Sequence, residues 1–323
     1  MYRPDFFDRD WLNYKPLFTE IENVKLNINL SLDFFQQLRL DNDSILQYRI
    51  NAVNKLCESL GDNPALCISG GVDSQAMLHS FLVAKRKFTA YIFVFENDLN
   101  LFDVNIARQY CKLHHVSLIE IPFNILSFLT MKNYDIGIQF QSSSPHFNAH
   151  YEFCNLLKSK GHTGVCFGGL TPFRSRSAWG VNFVRNVFNY ITYSNITQFY
   201  VQGSFLSYYP ELAWAIAILT PMTDCDISRA PADGSFRTRS YAVRYANKVL
   251  GYHKAKFDIM ESQKYSGFEK VKEYFAEKTN DGWEFEKRFR MPLDSYLNRR
   301  EQFVQFEFLP EVENYLNSLC CKN

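Results

Sequence analysis

The stretch Ala65-Leu66-Cys67-Ile68-Ser69-Gly70-Gly71-Val72-Asp73-Ser74-Gln75-Ala76-Met77-Leu78 constrains this chain more than any other. An apolar run breaks into Ser-Gly-Gly-x-Asp-Ser and resumes with helical spacing, which reads as strand, phosphate-binding turn and helix. Gly70 and Gly71 let the backbone approach an anion closely and take torsions closed to other residues, while the helix start aims free N–H groups at that anion. Ser69 and Ser74 add hydroxyl donors. Asp73 repels a polyphosphate unless a cation stands between them, so its presence implies Mg2+ held by Asp73 against a pyrophosphate group, and that combination implies ATP. The competing reading is an ordinary strand-to-helix turn, in which Gly-Gly is common and Asp or Ser caps the helix.

Ser69-Gly70-Gly71-Val72-Asp73-Ser74 resembles the SGGxDS signature of the PP-loop ATP pyrophosphatases, among them asparagine synthetases, QueC-type deazapurine nitrile synthases and tRNA-thiolating enzymes. The resemblance is specific over residues 65–123 and is closest to the synthetase domain of asparagine synthetases. It implies an α/β fold of the adenine nucleotide alpha-hydrolase type, with a doubly wound parallel sheet, a largely helical C-terminal region and a small N-terminal β-containing lobe. It also implies cleavage of ATP between the α and β phosphates, giving an adenylated substrate and pyrophosphate. A Walker A loop is excluded, because its Gly-Lys-Ser/Thr is absent.

Composition limits what surrounds the turn. With 323 residues, 46% hydrophobic and 21% charged, the chain can bury one large core or two modest ones. A formal charge of +1 supplies no global attraction to nucleic acid, so a polynucleotide substrate is left open and needs a local basic patch. The 30 Phe and 19 Tyr read first as core and second as base-stacking surface. Eight cysteines without a Cys-x-x-Cys spacing read as reduced, buried residues of an intracellular protein. The absence of such pairs weakens the QueC-type reading, whose enzymes carry a zinc-binding cysteine cluster, and the thiolating reading, whose enzymes often use paired cysteines. Met1-Tyr2-Arg3-Pro4-Asp5 carries no signal-peptide pattern and no run is long enough to span a bilayer, so the expectation is a cytoplasmic protein without a membrane partner.

Three regions are expected: a small N-terminal lobe and lead-in helix (1–62), the ATP-binding α/β domain (63–240) and a helical C-terminal region packed on the core (241–323). In the first, residues 24–30 alternate apolar and polar as a half-buried strand does, and a helix over 43–60 is capped near Asp41 and ended by Gly61-Asp62-Asn63-Pro64. The cysteine-headed glutaminase domain of glutamine-dependent asparagine synthetases is not expected, since residue 2 is Tyr2. From residue 65 the pattern alternates strand (65–69), helix (73–85), strand (89–96), helix (103–113) and strand (117–122), which argues for a parallel sheet with ligands beyond the carboxyl ends of its strands. The second strand ends at Phe93-Val94-Phe95-Glu96, where backbone groups in the resembled family meet the adenine edge. Phe95 thereby joins the nucleotide-binding set. His114 and His115 read as helix C-terminal residues.

Residues 133–150 read as a polar surface loop over the site, with a helix from about 147. The strand 163–169 ends in Gly168-Gly169 and is expected beside the first strand. In asparagine synthetases this strand leads into an acidic motif, whereas here it leads into Leu170-Thr171-Pro172-Phe173. The nucleotide-binding set is Cys67, Ser69, Gly70, Gly71, Asp73, Ser74, Phe95, Gly168 and Gly169, and the loss of the acidic motif counts against aspartate as the acceptor.

Arg174 and Arg176 follow, suited to a phosphate or carboxylate through two parallel hydrogen bonds, or else standing in a solvated loop. Residues 228–239 read as a second anion-binding loop or a domain-edge linker, with the structural reading preferred, and 211–219 as a buried helix. Lys264 matches the late lysine that grips pyrophosphate in the resembled family, with Lys254 and Lys256 as alternatives, or it caps a helix at the surface. Asp73, Lys264 and Arg174 form the catalytic set. The tail from 271 reads as two or three amphipathic helices.

The reading is an adenylating enzyme that activates a carboxyl or carbonyl oxygen of a small molecule for attack by ammonia, an amine or another nucleophile. A separate amidotransferase or free ammonia then supplies the nitrogen. The alternatives are modification of a nucleobase, as in QueC-like or tRNA-thiolating enzymes, and a nucleotide-binding module that has lost turnover.

Overall fold

The computed structural model describes residues 25–168, 173–175, 178–181, 184–219, 267–277, 284–297 and 304–320. In chain order the elements are β1 (Lys25–Asn27), α1 (Leu32–Gln37), α2 (Asn42–Leu60), β2 (Ala65–Cys67), α3 (Val72–Val83), β3 (Thr89–Phe95), α4 (Leu101–Leu113), β4 (Leu118–Phe123), α5 (Ile125–Met131), α6 (Asn133–Gln139), α7 (Pro145–Ser159) and β5 (Gly164–Phe167). They continue as β6 (Phe173–Ser175), β7 (Ala178–Val181), α8 (Val184–Thr197), β8 (Tyr200–Gln202), α9 (Pro210–Leu219), α10 (Gly267–Glu277), α11 (Glu284–Phe289), α12 (Met291–Leu297), β9 (Val304–Glu307) and α13 (Pro310–Cys320).

The near-continuous apolar run Thr-Ala-Tyr-Ile-Phe-Val-Phe of β3 is what a strand covered on both faces requires, and it lies inside a five-stranded, all-parallel sheet. The order is β4-β3-β2-β5-β8. The chain enters at β2, winds outward through β3 and β4, then reverses to β5 and β8, so the sheet is doubly wound with its switch point between β2 and β5. Helices cover both faces. On one, Arg49 of α2 donates to Ala76 O of α3, and Tyr110 of α4 donates to Gln75 O of α3. On the other, Tyr193 of α8 donates to Asn155 Oδ1 of α7.

Lead-in helix α2 begins as the sequence indicates. Asp41 accepts from Ser44 N–H at 2.9 Å, and Gly61 closes the far end with a left-handed φ of 83°. The strand expected in an N-terminal lobe, β1, pairs in parallel with β9, which lies between β1 and β7 in a second sheet ordered β1-β9-β7-β6. A smaller core fills the space beside it, in which Trp214 of the mostly apolar α9 meets Phe35 and Phe306, with Val312 and Leu316 in the same cluster. The C-terminal region thus holds a strand as well as the helices its pattern indicates.

Residues 133–150 are not the expected surface loop. Asn133–Gln139 is helical, Ser142 is buried, and α7 already starts at Pro145. The polar side chains there serve the interior: Asn133 donates to Phe289 O at 3.0 Å, and Asn148 donates to Asn133 Oδ1 at 2.9 Å. Buried amides of this kind satisfy polar groups that packing has cut off from water.

Candidate active site

The carboxyl ends of β2 and β5 meet at the switch point, and the turn Ser69–Gly71 leads from β2 into α3 there. Gly71 is the N-cap of α3 and its N–H donates to Ser69 Oγ at 3.2 Å. Ser69 Oγ and Ser74 Oγ are 2.9 Å apart, which engages one hydroxyl proton and leaves the other to donate elsewhere. Gln75, fully buried, donates to Gly70 O at 3.0 Å and fixes the turn from below. The first-turn N–H groups of a twelve-residue helix converge here, equivalent to about half a positive charge.

Two glycines are required by contact. A Cβ on Gly70 would lie 2.9 Å from Asp103 Cα and 2.9 Å from Asp103 O, where α4 presses on the turn. A Cβ on Gly168 would lie 2.6 Å from Asp73 C and 2.6 Å from Ser74 N. The end of β5 therefore rests directly on the peptide that opens α3. The adjacency of this strand to β2 matches the sequence expectation, with Cys67 opposite Phe167.

Asp73, in the first turn of α3, is exposed. An exposed carboxylate beside convergent N–H groups fits a Mg2+ ion that takes its other ligands from phosphate oxygens and water. Among the described residues no group of three His, Cys, Asp or Glu forms a ready-made metal cage. Cys67 is half-buried at the end of β2, and burial pushes its thiol well above the ordinary range.

At the end of β3, Phe95 packs its ring against Phe123 and Phe268, while its N–H donates to Asn100 Oδ1. The next residue, Glu96, accepts from Ile125 N–H at 2.7 Å and Leu126 N–H at 2.8 Å, capping α5. Over β5, a ring cluster outside the sequence expectations lines the α7 face. His150 stacks on Phe167 at 4.6 Å, and its Nδ1 shares a 2.6 Å hydrogen bond with the Tyr190 hydroxyl. Burial, with the nearby His146 adding to it, holds His150 well below the ordinary imidazole range. Desolvation pushes the Tyr190 phenol up, so it stays protonated at neutral pH. His146, one turn away, stacks on Phe268 at 4.5 Å. A His at 146 and another at 150, four apart ahead of a strand, is the signal that points to this face.

The structure brings Cys67, Ser69, Gly70, Gly71, Asp73, Ser74 and Gly168 to one place. Phe95 stands on the neighbouring strand end. Arg174 lies not in a loop but on β6, opposite Trp179 in the second sheet. Gly169, Lys254, Lys256, Lys264 and the segment 228–239 lie outside the described residues.

No family model matches the chain, and no curated protein does. Among solved structures it is similar to an NMN synthetase from Francisella tularensis at 12% identity, covering 65% of this chain and 96% of that one with a TM-score of 0.33. It is similar to a glutamine-dependent NAD+ synthetase from Acinetobacter baumannii in complex with ADP at 15% identity, covering 81% of this chain but only 46% of that one, TM-score 0.34. It is also similar to the U34-tRNA thiolase NcsA from Methanococcus maripaludis with its [4Fe-4S] cluster at 12% identity, covering 80% and 82%, TM-score 0.33. None of the three is an asparagine synthetase. At these identities the assignment of the doubly wound α/β fold rests on the strand order itself. No helix among the described residues is long and apolar enough to cross a membrane.

Proposed function

We propose that the protein is an ATP-dependent adenylating enzyme that cleaves ATP to AMP and pyrophosphate. The observation that carries this reading is the packing of Gly168 on the Asp73–Ser74 peptide, which narrows the switch point to a cradle of backbone N–H groups, hydroxyls and one exposed carboxylate. In this reading the turn at Ser69–Ser74 binds the β and γ phosphates, and Gly168 lets the α phosphate lie close to the end of β5. Asp73 is the residue that would hold Mg2+, which would supply neutralising charge to the phosphates.

An acceptor carboxyl or carbonyl oxygen attacks the α phosphorus, the bond to the α–β bridging oxygen breaks, and pyrophosphate leaves with the electron pair. Lys264 is assigned to stabilise that leaving charge and Arg174 to hold the acceptor. Ammonia or an amine, delivered free or by a partner amidotransferase, then forms a bond to the activated carbon and AMP departs.

The test is incubation of the protein with Mg2+, ammonium, candidate carboxylate acceptors and ATP labelled on the α phosphate. Labelled AMP with equimolar pyrophosphate is expected. Labelled ADP without AMP rejects the cleavage site.

A further inference from the structure

Ile68 N–H donates to Tyr91 O at 2.8 Å, so Tyr91 turns its backbone groups toward the β2 side of β3. In a parallel strand alternate residues face the same neighbour, which sends the polar groups of Phe93 and Phe95 the same way, above the point where β2 has left the sheet for the phosphate turn. Among the described residues no strand covers that edge. One side chain does: Asn100 accepts from Phe95 N–H through Oδ1 at 2.8 Å and donates through Nδ2 to Phe93 O at 2.8 Å. Only one orientation of the amide satisfies both bonds. Asn100 is 7% exposed, and the first turn of α10 roofs it, with Gly267 so close that a Cβ there would lie 2.7 Å from Asn100 Cβ.

A carboxamide offers an acceptor and a donor side by side in one plane. Adenine offers the same pair through ring N1 and the N6 amino group, whereas guanine reverses it with a carbonyl and a ring N–H. We propose that the Asn100 carboxamide stands in the place of an adenine edge on β3 and that the nucleotide binds by displacing it, so that Asn100 sets base affinity while the Phe95 N–H and Phe93 carbonyl it covers select adenine over guanine. The inference rests on the ATP reading of the phosphate turn and adds to it an internal competitor for the base.

Two features of the fold make the exchange feasible. The Asn100 carbonyl accepts from Val104 N–H at 3.0 Å as part of α4, so the carboxamide can swing out without disturbing α4, while the first turn of α10 lifts to admit a purine. The same helix presses Asp103 onto Gly70, which places the base-reading edge and the phosphate turn on one rigid support. Because two hydrogen bonds are exchanged for two, the base edge adds little net affinity and the triphosphate carries most of it.

Calorimetric titration of the full chain and of Asn100→Ala with Mg2+-ATP, Mg2+-GTP and Mg2+-tripolyphosphate tests the exchange, together with NMR of the Asn100 side-chain NH2 and Phe95 amide signals. Asn100→Ala is expected to bind Mg2+-ATP about tenfold more tightly, or about 1.4 kcal/mol, with Mg2+-tripolyphosphate unchanged. In the unmodified chain ATP shifts the Asn100 and Phe95 signals and tripolyphosphate does not. If Asn100→Ala fails to fold, NMR of the unmodified chain decides the matter alone. Binding of ATP and tripolyphosphate with the Asn100 signals unmoved overturns the Asn100 inference alone. Binding of neither overturns the ATP reading and the inference with it.

Discussion

Replacing Gly168 with alanine puts one methyl group against the backbone that opens α3. At 2.6 Å from Asp73 C and Ser74 N, the new atom sits inside the 3.4 Å at which ordinary contact begins. Neither partner is a side-chain end that can swing aside, so β5 and the α3 start must separate by roughly 0.8 Å in an interior packed to crystal density. Overpacking of this kind destabilises by about 1–3 kcal/mol. The local effect is larger, because the displaced peptide belongs to the phosphate cradle, and a misplacement of about 1 Å lowers a rate by roughly 100-fold.

The assay pairs thermal unfolding with Mg2+-ATP titration and AMP release. Gly61→Ala is the control: Gly61 also has a special backbone, φ 83°, but nothing lies within 4 Å of its Cβ position. That variant is expected to lose about 1 kcal/mol from strain and to bind Mg2+-ATP normally. Gly168→Ala that stays folded and binds Mg2+-ATP as tightly as the unmodified chain refutes the reasoning.

Three further outcomes are expected. His79 lies 2.7 Å from the Arg49 guanidinium, and burial first, then Arg49, pushes it down from 6.5 to about 4. The unfolded chain therefore binds a proton that the folded one refuses. The contribution is complete above pH 6.5 and is lost as pH falls toward 4, by about 2 kcal/mol after allowance for the ring's partial exposure. Urea midpoints from pH 7 to 4.5 that fall as steeply in His79→Gln as in the unmodified chain rule this out. Glu96→Ala removes both cap bonds of α5 and is expected to cost about 1–2 kcal/mol in denaturant titration, an unchanged midpoint being the adverse result. Burial pushes the thiols of Cys154 and Cys166 well up, so iodoacetamide at pH 8 is expected to label them only in urea; peptide mapping that finds them alkylated in the native protein contradicts the packing.

How much of this is legible in the sequence follows from where each partner lies. The phosphate turn is legible because its strand, glycines and helix are contiguous. The adjacency of β5 to β2 is legible from an apolar run ending in glycine. Residues 133–150 mislead because Asn, Gln and Ser look alike whether they face water or a severed backbone, and Asn133 finds its acceptor at Phe289, far along the chain. Arg174 reads as a loop residue because a three-residue strand carries no period of its own, and only pairing with Trp179 and its neighbours makes β6 a strand. Asn100 draws no notice, since a helix-start asparagine normally turns forward to its own helix, whereas this one reaches back to the strand it follows.

The position of β9 between β1 and β7 bears on how the molecule is made. Every strand of the parallel sheet precedes residue 203, so a chain emerging from the ribosome holds all five before β9 exists. Throughout that interval β1 and the β6–β7 hairpin present unpaired edges to one another with no middle strand to join them. Among the described residues β9 is the last strand synthesised and the keystone of the second sheet, and the interval before it arrives is when a nascent chain is open to pairing with a stranger's strand.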